Sequence, residues 1–217
     1  MSHHAENAAG TMMIPTDRVA DMSRRLFVLA APAVLAGCVT GGGPVSSYGS
    51  RRDGNVTLPA MDTARIDPRF LRQEVAYATR ERPGTIVVQP SQRHLYYVLG
   101  NNRAIRYGVG VGRQGALWHG RAAIGRKGAW PNWTPTANMI AHDPRNARYA
   151  GGMAGGISNP LGARALYLGS TLYRIHGSNE PHTIGTAVSS GCFRMTNEDV
   201  TDLYGRVRVG TRVVVTR

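Results

Sequence analysis

Residues 175–195 read IHGSNEPHTIGTAVSSGCFRM, which sets His176 before one glycine and Cys192 after another. The chain contains two cysteines, and the other one, Cys38, lies near the opposite end of the sequence. A thiolate is a strong nucleophile, and a nearby histidine can lower the pKa of a thiol enough to populate it. The stretch therefore predicts acyl transfer by an activated Cys–His pair.

The neighbours of the cysteine suit the same chemistry. Gly191 removes a side chain where a substrate backbone approaches, and the backbone N–H groups from Gly191 to Phe193 are candidates for holding an oxyanion. Arg194 suits a substrate carboxylate through bidentate pairing, and the alternative is an ion pair with Glu198. Thr196, followed by acidic residues, predicts a helix start whose positive end favours a negative sulfur.

His176-Gly177 followed by SSGCFR at residues 189–194 resembles the catalytic signature of the YkuD-type L,D-transpeptidases, a family of cell-wall cross-linking enzymes. Two upstream segments, 130–136 and 159–162, are similar to loops of that family. The resemblance covers residues 83–217. It implies a mainly β, YkuD-like β-sandwich or barrel-like sheet, with long loops and one helix after the catalytic cysteine.

The resemblance also implies a mechanism. Cys192 attacks a peptidoglycan stem tetrapeptide, D-alanine leaves, and the thioester passes to an amine, while His176 acts as base and then acid. The main-chain carbonyl of Gly177 orients the histidine. No metal or cofactor is implied. The residues expected to contact substrate or the oxyanion are Gly191, Arg194, Ser189 and Asn179.

Three features of the implied function stay open. The acceptor amine belongs to a stem diamino acid, to a lysine of an outer-membrane lipoprotein, or to a free D-amino acid. A variant of the enzyme hypothesis is a hydrolase that detaches wall-linked lipoprotein. A second class of function is a non-catalytic peptidoglycan-binding anchor, against which the intact His176 and Cys192 argue.

The chain is strongly basic, with 26 Lys and Arg against 13 Asp and Glu and a formal net charge of +13. Such a balance favours polyanionic partners, which include nucleic acid, anionic lipid headgroups and acidic cell-wall polymers. The arginines are scattered, and the sequence has no helix-turn-helix, zinc-finger or RNA-binding pattern. We therefore expect no nucleic-acid binding.

Residues 1–37 have the pattern of an export signal. Arg24-Arg25 precedes a short apolar run that ends in LAGC at Cys38 and is too short to span a bilayer. The arginine pair resembles a twin-arginine signal, and LAGC resembles the lipobox of bacterial lipoproteins, which implies a lipid on Cys38. The alternative is an ordinary signal peptide that contains a cysteine. Met22 is a candidate true start.

A lipid on Cys38 would fix both the location and the thiol chemistry. Cys192 would then be a lone thiol in an oxidising compartment, which favours a function for it. We expect a periplasmic, lipid-anchored protein of the bacterial envelope, and Val39 in place of a retention aspartate favours the outer membrane. Residues 38–80 are expected to be a flexible tether and lead-in, and 81–217 the catalytic domain.

The apolar pattern after Pro68 predicts a mainly β domain. Residues 112–162, dense in Gly, Pro and Trp, are expected to form long ordered loops. Residues 100–103 predict a hairpin turn, and 207–215 predict a strand or a hairpin around Gly210. The other predicted strands are 73–79, 85–89, 94–99, 104–111, 165–168 and 171–175.

Overall fold

The computed structural model describes residues 48–113 and 118–217 of the chain. Strands dominate it, which confirms the predicted mainly β class. The strands are β1 (Arg51–Asp53), β2 (Val56–Leu58), β3 (Gln73–Ala76), β4 (Ile86–Gln89), β5 (His94–Gly100), β6 (Arg103–Gly108), β7 (Val111–Gly112), β8 (Gly120–Ala129), β9 (Arg164–Leu168), β10 (Arg174–His176), β11 (Ala187–Ser189), β12 (Phe193–Arg194) and β13 (Arg212–Val215). The helices are α1 (Ala137–His142) and α2 (Asn197–Arg206).

Nine of these strands form one sheet, in the order β12-β10-β9-β8-β13-β4-β5-β6-β3. Two neighbouring pairs are parallel, β10 with β12 and β13 with β4, and the others are antiparallel. The long β8 joins the two halves of the sheet, because its first residues pair with β13 and its last with β9. Separately, β11 pairs in parallel with β7, and β1 with β2 forms a hairpin.

The core follows from alternation along the strands. In β4, Ile86 and Val88 face the main core, while Val87 faces a second, smaller cluster with Tyr96 and Val98 of β5. Successive side chains of a strand point to opposite faces, so these central strands are covered on both sides. The main core also receives Val200 and Leu203 from α2, which lies against the half of the sheet that carries β9 and β10.

The hairpin between β5 and β6 lies where the sequence predicted it. Gly100, Asn101 and Asn102 have φ angles of 93°, 50° and 54°. Glycine and asparagine tolerate this left-handed region better than other residues, and a tight turn between twisted strands requires it.

Residues 112–162 differ from the prediction of long loops, because they contain β8, the longest of the described strands, and α1. The three glycines of β8 obscure the strand pattern, and Ile124 is the large residue that it places in the core. The strand is stabilised by its partners on both sides rather than by its own propensity. The rest of the region does form loops, with a 3₁₀ turn at Pro144–Tyr149.

The end of the chain confirms the predicted helix start and, of the two alternatives for 207–215, the strand. The hydroxyl of Thr196 accepts a hydrogen bond from the backbone N–H of Asp199 at 3.1 Å, so Thr196 caps α2 as expected. Beyond the helix, β13 pairs with β4 and β8, and no hairpin forms around Gly210 among the described residues.

Residues 48–66, for which the composition predicted a flexible tether, pack against the rest of the described fold at three points. Tyr48, Leu58 and Ile66 are buried, with relative exposures of 9%, 1% and 4%. The Tyr48 hydroxyl donates to Asp199 of α2 at 3.0 Å, which fixes this segment against the helix. These three apolar residues are too widely spaced to give a periodic signal in the sequence, but their burial attaches the segment to the rest of the described fold.

No helix within 48–113 and 118–217 has the length and apolar character to cross a membrane. The predicted export signal and Cys38 lie outside the described residues, so they stay predictions.

Candidate active site

The parallel pairing of β10 with β12 builds the site. Ile175 pairs with Phe193, and His176 pairs with Arg194. Ile175 and Phe193 are fully buried in the core, so the alternate residues of both strands lie on the opposite face. That face brings His176 together with Cys192, which immediately precedes β12, and both line one cavity of about 520 Å³.

His176 is almost completely buried, with a relative exposure of 5%. Its Nδ1 lies 2.6 Å from the carbonyl oxygen of Gly177, the contact that the family resemblance implied. Burial lowers the pKa of His176 to about 3; the hydrogen bond to Gly177 opposes this, and the charges of Arg194 and Arg174 add to it. The imidazole is therefore neutral at physiological pH, with Nδ1 as the donor and Nε2 left to accept a proton.

Cys192 is partly buried, and its Sγ lies 3.9 Å from the carbonyl oxygen of Leu172. Burial raises the pKa of this thiol, while the charge of Arg174, hydrogen bonds from it and the charge of Arg194 oppose the rise. The resting site thus holds a thiol beside a neutral histidine. Desolvation disfavours both charged forms in the resting site, and the activated thiolate stays a prediction.

The position of the helix also differs from its expected role. Cys192 does not adjoin α2, because β12, Met195 and the cap Thr196 lie between them. The cap hydroxyl already accepts from the N–H of Asp199. The helix end therefore supplies no described contact to the sulfur.

Gly191 and Ser189 shape the loop that carries the cysteine. Gly191 has a φ of 120°, a backbone conformation that favours glycine over any residue with a Cβ. Its N–H donates to Ser189 Oγ at 3.2 Å, and that hydroxyl donates to the Cys192 carbonyl at 2.6 Å. Ser189, buried at 3% exposure, thus braces the loop on which Cys192 lies.

Arg194 and Asn179 line the cavity, but both already have protein partners. The Arg194 guanidinium pairs with Glu180 at 2.9 Å, which corrects the alternative pairing with Glu198. The Asn179 amide donates to the carbonyl oxygen of Ser158 at 3.1 Å and so ties two loops together.

The cavity also contains two arginines that the sequence did not identify as site residues. Arg174 belongs to the same strand as His176, and Arg113 follows β7. Trp133, Thr136 and Met139 form part of the wall near α1, and Trp133 is packed edge-on against Tyr149. The signal for Arg174 was its spacing of two from His176, which in a strand places both on one face.

Within the described ranges, no group of three or more His, Cys, Asp and Glu side chains is placed to hold a metal ion.

The family model described as "L,D-transpeptidase catalytic domain", YkuD, matches residues 83–215, which is more than half of the chain. That range contains every residue of the site described above.

Two curated relatives from enteric bacteria carry the same family description. The probable L,D-transpeptidase YbiS of Escherichia coli strain K12 is 40% identical over 139 residues, which cover 60% of this chain and 43% of that protein. The probable L,D-transpeptidase ErfK/SrfK of Salmonella typhimurium is 34% identical over 166 residues, covering 74% of this chain and 52% of that protein. The chain thus spans about half the length of these relatives.

Among solved structures, a chain from Brucella melitensis described as a probable carnitine operon oxidoreductase is 49% identical, with a TM-score of 0.47. It covers 71% of this chain and 99% of its own length. The catalytic domain of the Enterococcus faecium L,D-transpeptidase is 16% identical, with a TM-score of 0.48, covering 64% and 100%.

Proposed function

Because the chain belongs to the L,D-transpeptidase (YkuD) catalytic domain family, we propose that it is a cysteine-dependent acyltransferase that acts on peptidoglycan stem peptides. One observation carries the proposal. The register of β10 against β12 puts Cys192 and His176 on one face of the sheet, in one cavity, with Ile175 and Phe193 beneath them in the core.

In the first half-reaction, Cys192 attacks the carbonyl between the diamino acid and the terminal D-alanine of a stem tetrapeptide. Since the resting pair is neutral, His176 Nε2 takes the thiol proton as the S–C bond forms. The C–N bond then breaks, His176 returns the proton to the leaving nitrogen, and D-alanine departs. The Gly177 carbonyl keeps Nδ1 as the donor throughout.

In the second half-reaction, an amine attacks the thioester. His176 accepts a proton from that amine, the C–S bond breaks, and the proton returns to the Cys192 sulfur. The acceptor is the amine of a second stem, of a lipoprotein lysine or of a D-amino acid. The backbone N–H of Cys192 is the candidate donor to the oxyanion of both steps, since the N–H of Gly191 already donates to Ser189 Oγ.

The test is release of D-alanine from a synthetic stem tetrapeptide, followed by mass spectrometry of the products with a second stem present. We expect Cys192→Ser and His176→Gln to lose at least about a hundredfold in rate, as loss of a nucleophile or its base does. His119→Gln, which changes an exposed histidine outside the cavity, is the matched control and should keep full activity. A Cys192→Ser protein that still releases D-alanine would overturn the proposal.

Product masses distinguish transfer from hydrolysis. Joined stems support the transferase, whereas shortened stems alone, with water as the acceptor, support the hydrolase that detaches wall-linked lipoprotein.

We place this enzyme on the periplasmic side of the bacterial envelope, held by a lipid on Cys38. The proposal rests on the export-signal pattern of residues 1–37 and the LAGC sequence. Intact-mass analysis of membrane-extracted protein tests it. A mature chain that begins at acylated Cys38 is expected, and an unmodified cysteine there would refute it.

A further inference from the structure

The register of β10 against β12 also sets a second residue beside the nucleophile. Ile175 pairs with Phe193 and His176 with Arg194, so the same register carried back by one residue sets Arg174 opposite Cys192. Paired residues of neighbouring strands are about 5 Å apart and point to the same face. Arg174 and Cys192 accordingly line the same cavity.

Arg174 differs from the other two arginines of the cavity. Arg194 is already neutralised by Glu180 at 2.9 Å. The backbone of Arg113 donates to Ser189, and its side chain is exposed at the rim. Arg174, in contrast, has no carboxylate within salt-bridge distance among the described residues.

The polar contacts of the Arg174 side chain leave much of its donor capacity unused. Its Nε is buried and hydrogen-bonded to no described group, while its guanidinium donates at 3.4 Å to the carbonyl oxygen of Leu172 and also donates to the Cys192 thiol. A guanidinium has five N–H donors and accepts a carboxylate in bidentate geometry. A carboxylate bound here would satisfy donors that the fold leaves free.

The neighbouring strand β9 also restricts the position of the Arg174 side chain. Arg174 pairs with Tyr167 of β9, and its guanidinium lies 5.6 Å from the centre of that ring. Cation–π contact of this kind restricts a flexible side chain without occupying its N–H donors. Arg126 contacts the same ring at 3.5 Å but does not line the cavity.

We propose that Arg174 binds a carboxylate of the acyl donor that flanks the scissile bond, and so determines donor specificity beside Cys192. The proposal rests on the proposed function for the identity of the donor. The carboxylate comes from the terminal D-alanine or from the diamino acid, and the two are distinguished below. Arg174 and not Arg194 takes this role, because Glu180 already occupies the latter.

The first experiment needs no transpeptidase substrate. Iodoacetate and iodoacetamide both alkylate the thiolate by displacing iodide, but only iodoacetate carries a carboxylate. Both rates depend in the same way on the fraction of Cys192 that is ionised, so the ratio of the iodoacetate rate to the iodoacetamide rate does not depend on the pKa of the thiol. The ratio therefore measures how well a carboxylate binds beside Cys192. We expect the ratio to fall about tenfold in Arg174→Gln, the size of effect typical of a lost hydrogen bond to a charged group. Arg174→Lys should restore part of it.

Arg126→Gln is the matched control, because it removes one charge and one contact with the same Tyr167 ring outside the cavity. Its ratio should equal that of the unaltered protein. If Arg174→Gln leaves the ratio unchanged, or if Arg194→Gln lowers it more than Arg174→Gln does, the proposal is overturned. Thermal melts of all variants separate this outcome from loss of the fold.

The second experiment uses three stem tetrapeptides: unmodified, amidated at the terminal D-alanine, and amidated at the diamino acid. One of the two amidated donors should raise KM about tenfold in the unaltered protein, and Arg174→Gln should abolish that difference. Discrimination that persists in Arg174→Gln contradicts the proposal. If no donor reacts but the alkylation ratio still depends on Arg174, the proposed function fails and the carboxylate site stands.

Discussion

The Nδ1 atom of His176 lies 2.6 Å from the carbonyl oxygen of Gly177, the residue that follows it in the chain. An acceptor at Nδ1 leaves Nε2 as the basic nitrogen, so the peptide group of Gly177 sets the tautomer that the proposed chemistry needs. The position of that peptide group therefore decides whether His176 can act as a base.

Gly177→Ala should displace this peptide group. A Cβ at Gly177 would lie 2.3 Å from Asn197 Oδ1 and 3.1 Å from the backbone nitrogen of Ala163. Crowding of this kind costs roughly 1–3 kcal/mol of unfolding free energy. We expect a loss of that size in urea denaturation, together with a loss of D-alanine release.

Gly205→Ala is the control for that prediction. A Cβ at Gly205, in α2, meets nothing within 4 Å. Alanine is favoured over glycine in a helix by roughly 0.5–1 kcal/mol, so this variant should be more stable at unchanged activity. Equal losses in both variants would show that the crowding around Gly177 does not matter.

The neutral state of the pair predicts how alkylation depends on pH. Burial raises the pKa of Cys192 and lowers that of His176 to about 3. The rate of alkylation by iodoacetamide should rise in one step at alkaline pH, above the ordinary thiol pKa of about 8.5. The rate of acyl transfer should not fall as the pH is lowered through 6.5, because His176 stays neutral well below that value.

His176→Gln distinguishes this state from an ion pair. A neutral histidine does not hold a thiolate, so the variant should keep the alkaline alkylation profile of the unaltered protein. A plateau of reactivity between about pH 6 and 8 that vanishes in His176→Gln would contradict the prediction, since it is the signature of a thiolate–imidazolium pair.

Much of the site could be predicted from the sequence because its residues lie in one short motif. Cys192, His176 and Gly177 are identified by type and spacing alone. The spacing of two puts Arg174 on the same strand face as His176, but its place beside Cys192 could not be predicted, because that depends on the parallel register of two very short strands, β10 and β12. Register is set by tertiary pairing and by which face is buried, and a strand of two residues carries no periodic signal.

The same reasoning explains which parts of the fold could be predicted from the sequence and which could not. The hairpin at Asn101 and Asn102 was predictable, because a tight turn needs residues that tolerate positive φ. In β8 only Ile124 is fully buried in the core, with Ala122 partly buried against it, and the strand exists because β9 and β13 flank it. The packing of Tyr48 against α2 depends on Asp199, a partner far along the chain. No local sequence pattern predicts a contact over that distance.

Asn197 ties the start of α2 to the residue just before β9, and its removal should be costly. Its Oδ1 accepts a hydrogen bond from the N–H of Ala163 at 2.8 Å, and Ala163 is fully buried. Asn197→Ala leaves that N–H without an acceptor, which should cost about 1–3 kcal/mol of unfolding free energy. Asn197→Asp keeps an acceptor oxygen at the start of a helix, where a negative charge is favourable, and should restore most of the stability. Equal stability of the alanine and aspartate variants would contradict this.

Asp199 should make the stability of the fold depend on pH. Its carboxyl is fully buried, accepts a hydrogen bond from Tyr48 at 3.0 Å and lies 3.9 Å from the guanidinium of Arg72. Burial raises its pKa from the ordinary value to about 7, although Arg72, Tyr48 and Thr196 oppose the rise. A raised pKa means that the folded state binds the proton more tightly than the unfolded state does. Its stabilising contribution is therefore full below about pH 4 and is lost as the pH rises towards 7.

Asp199→Asn cannot titrate at this position but keeps an oxygen that accepts from Tyr48. Urea denaturation from pH 4 to 8 at constant ionic strength gives the unfolding free energy of both proteins. We expect the unaltered protein to lose stability relative to the variant as the pH rises, by at most about 1.4 kcal/mol per pH unit. Asp62→Asn, which changes an exposed carboxylate, should show no such trend. A difference that stays flat from pH 4 to 7, or that changes in the opposite direction, would show that Arg72 and Tyr48 keep Asp199 ionised in the folded protein.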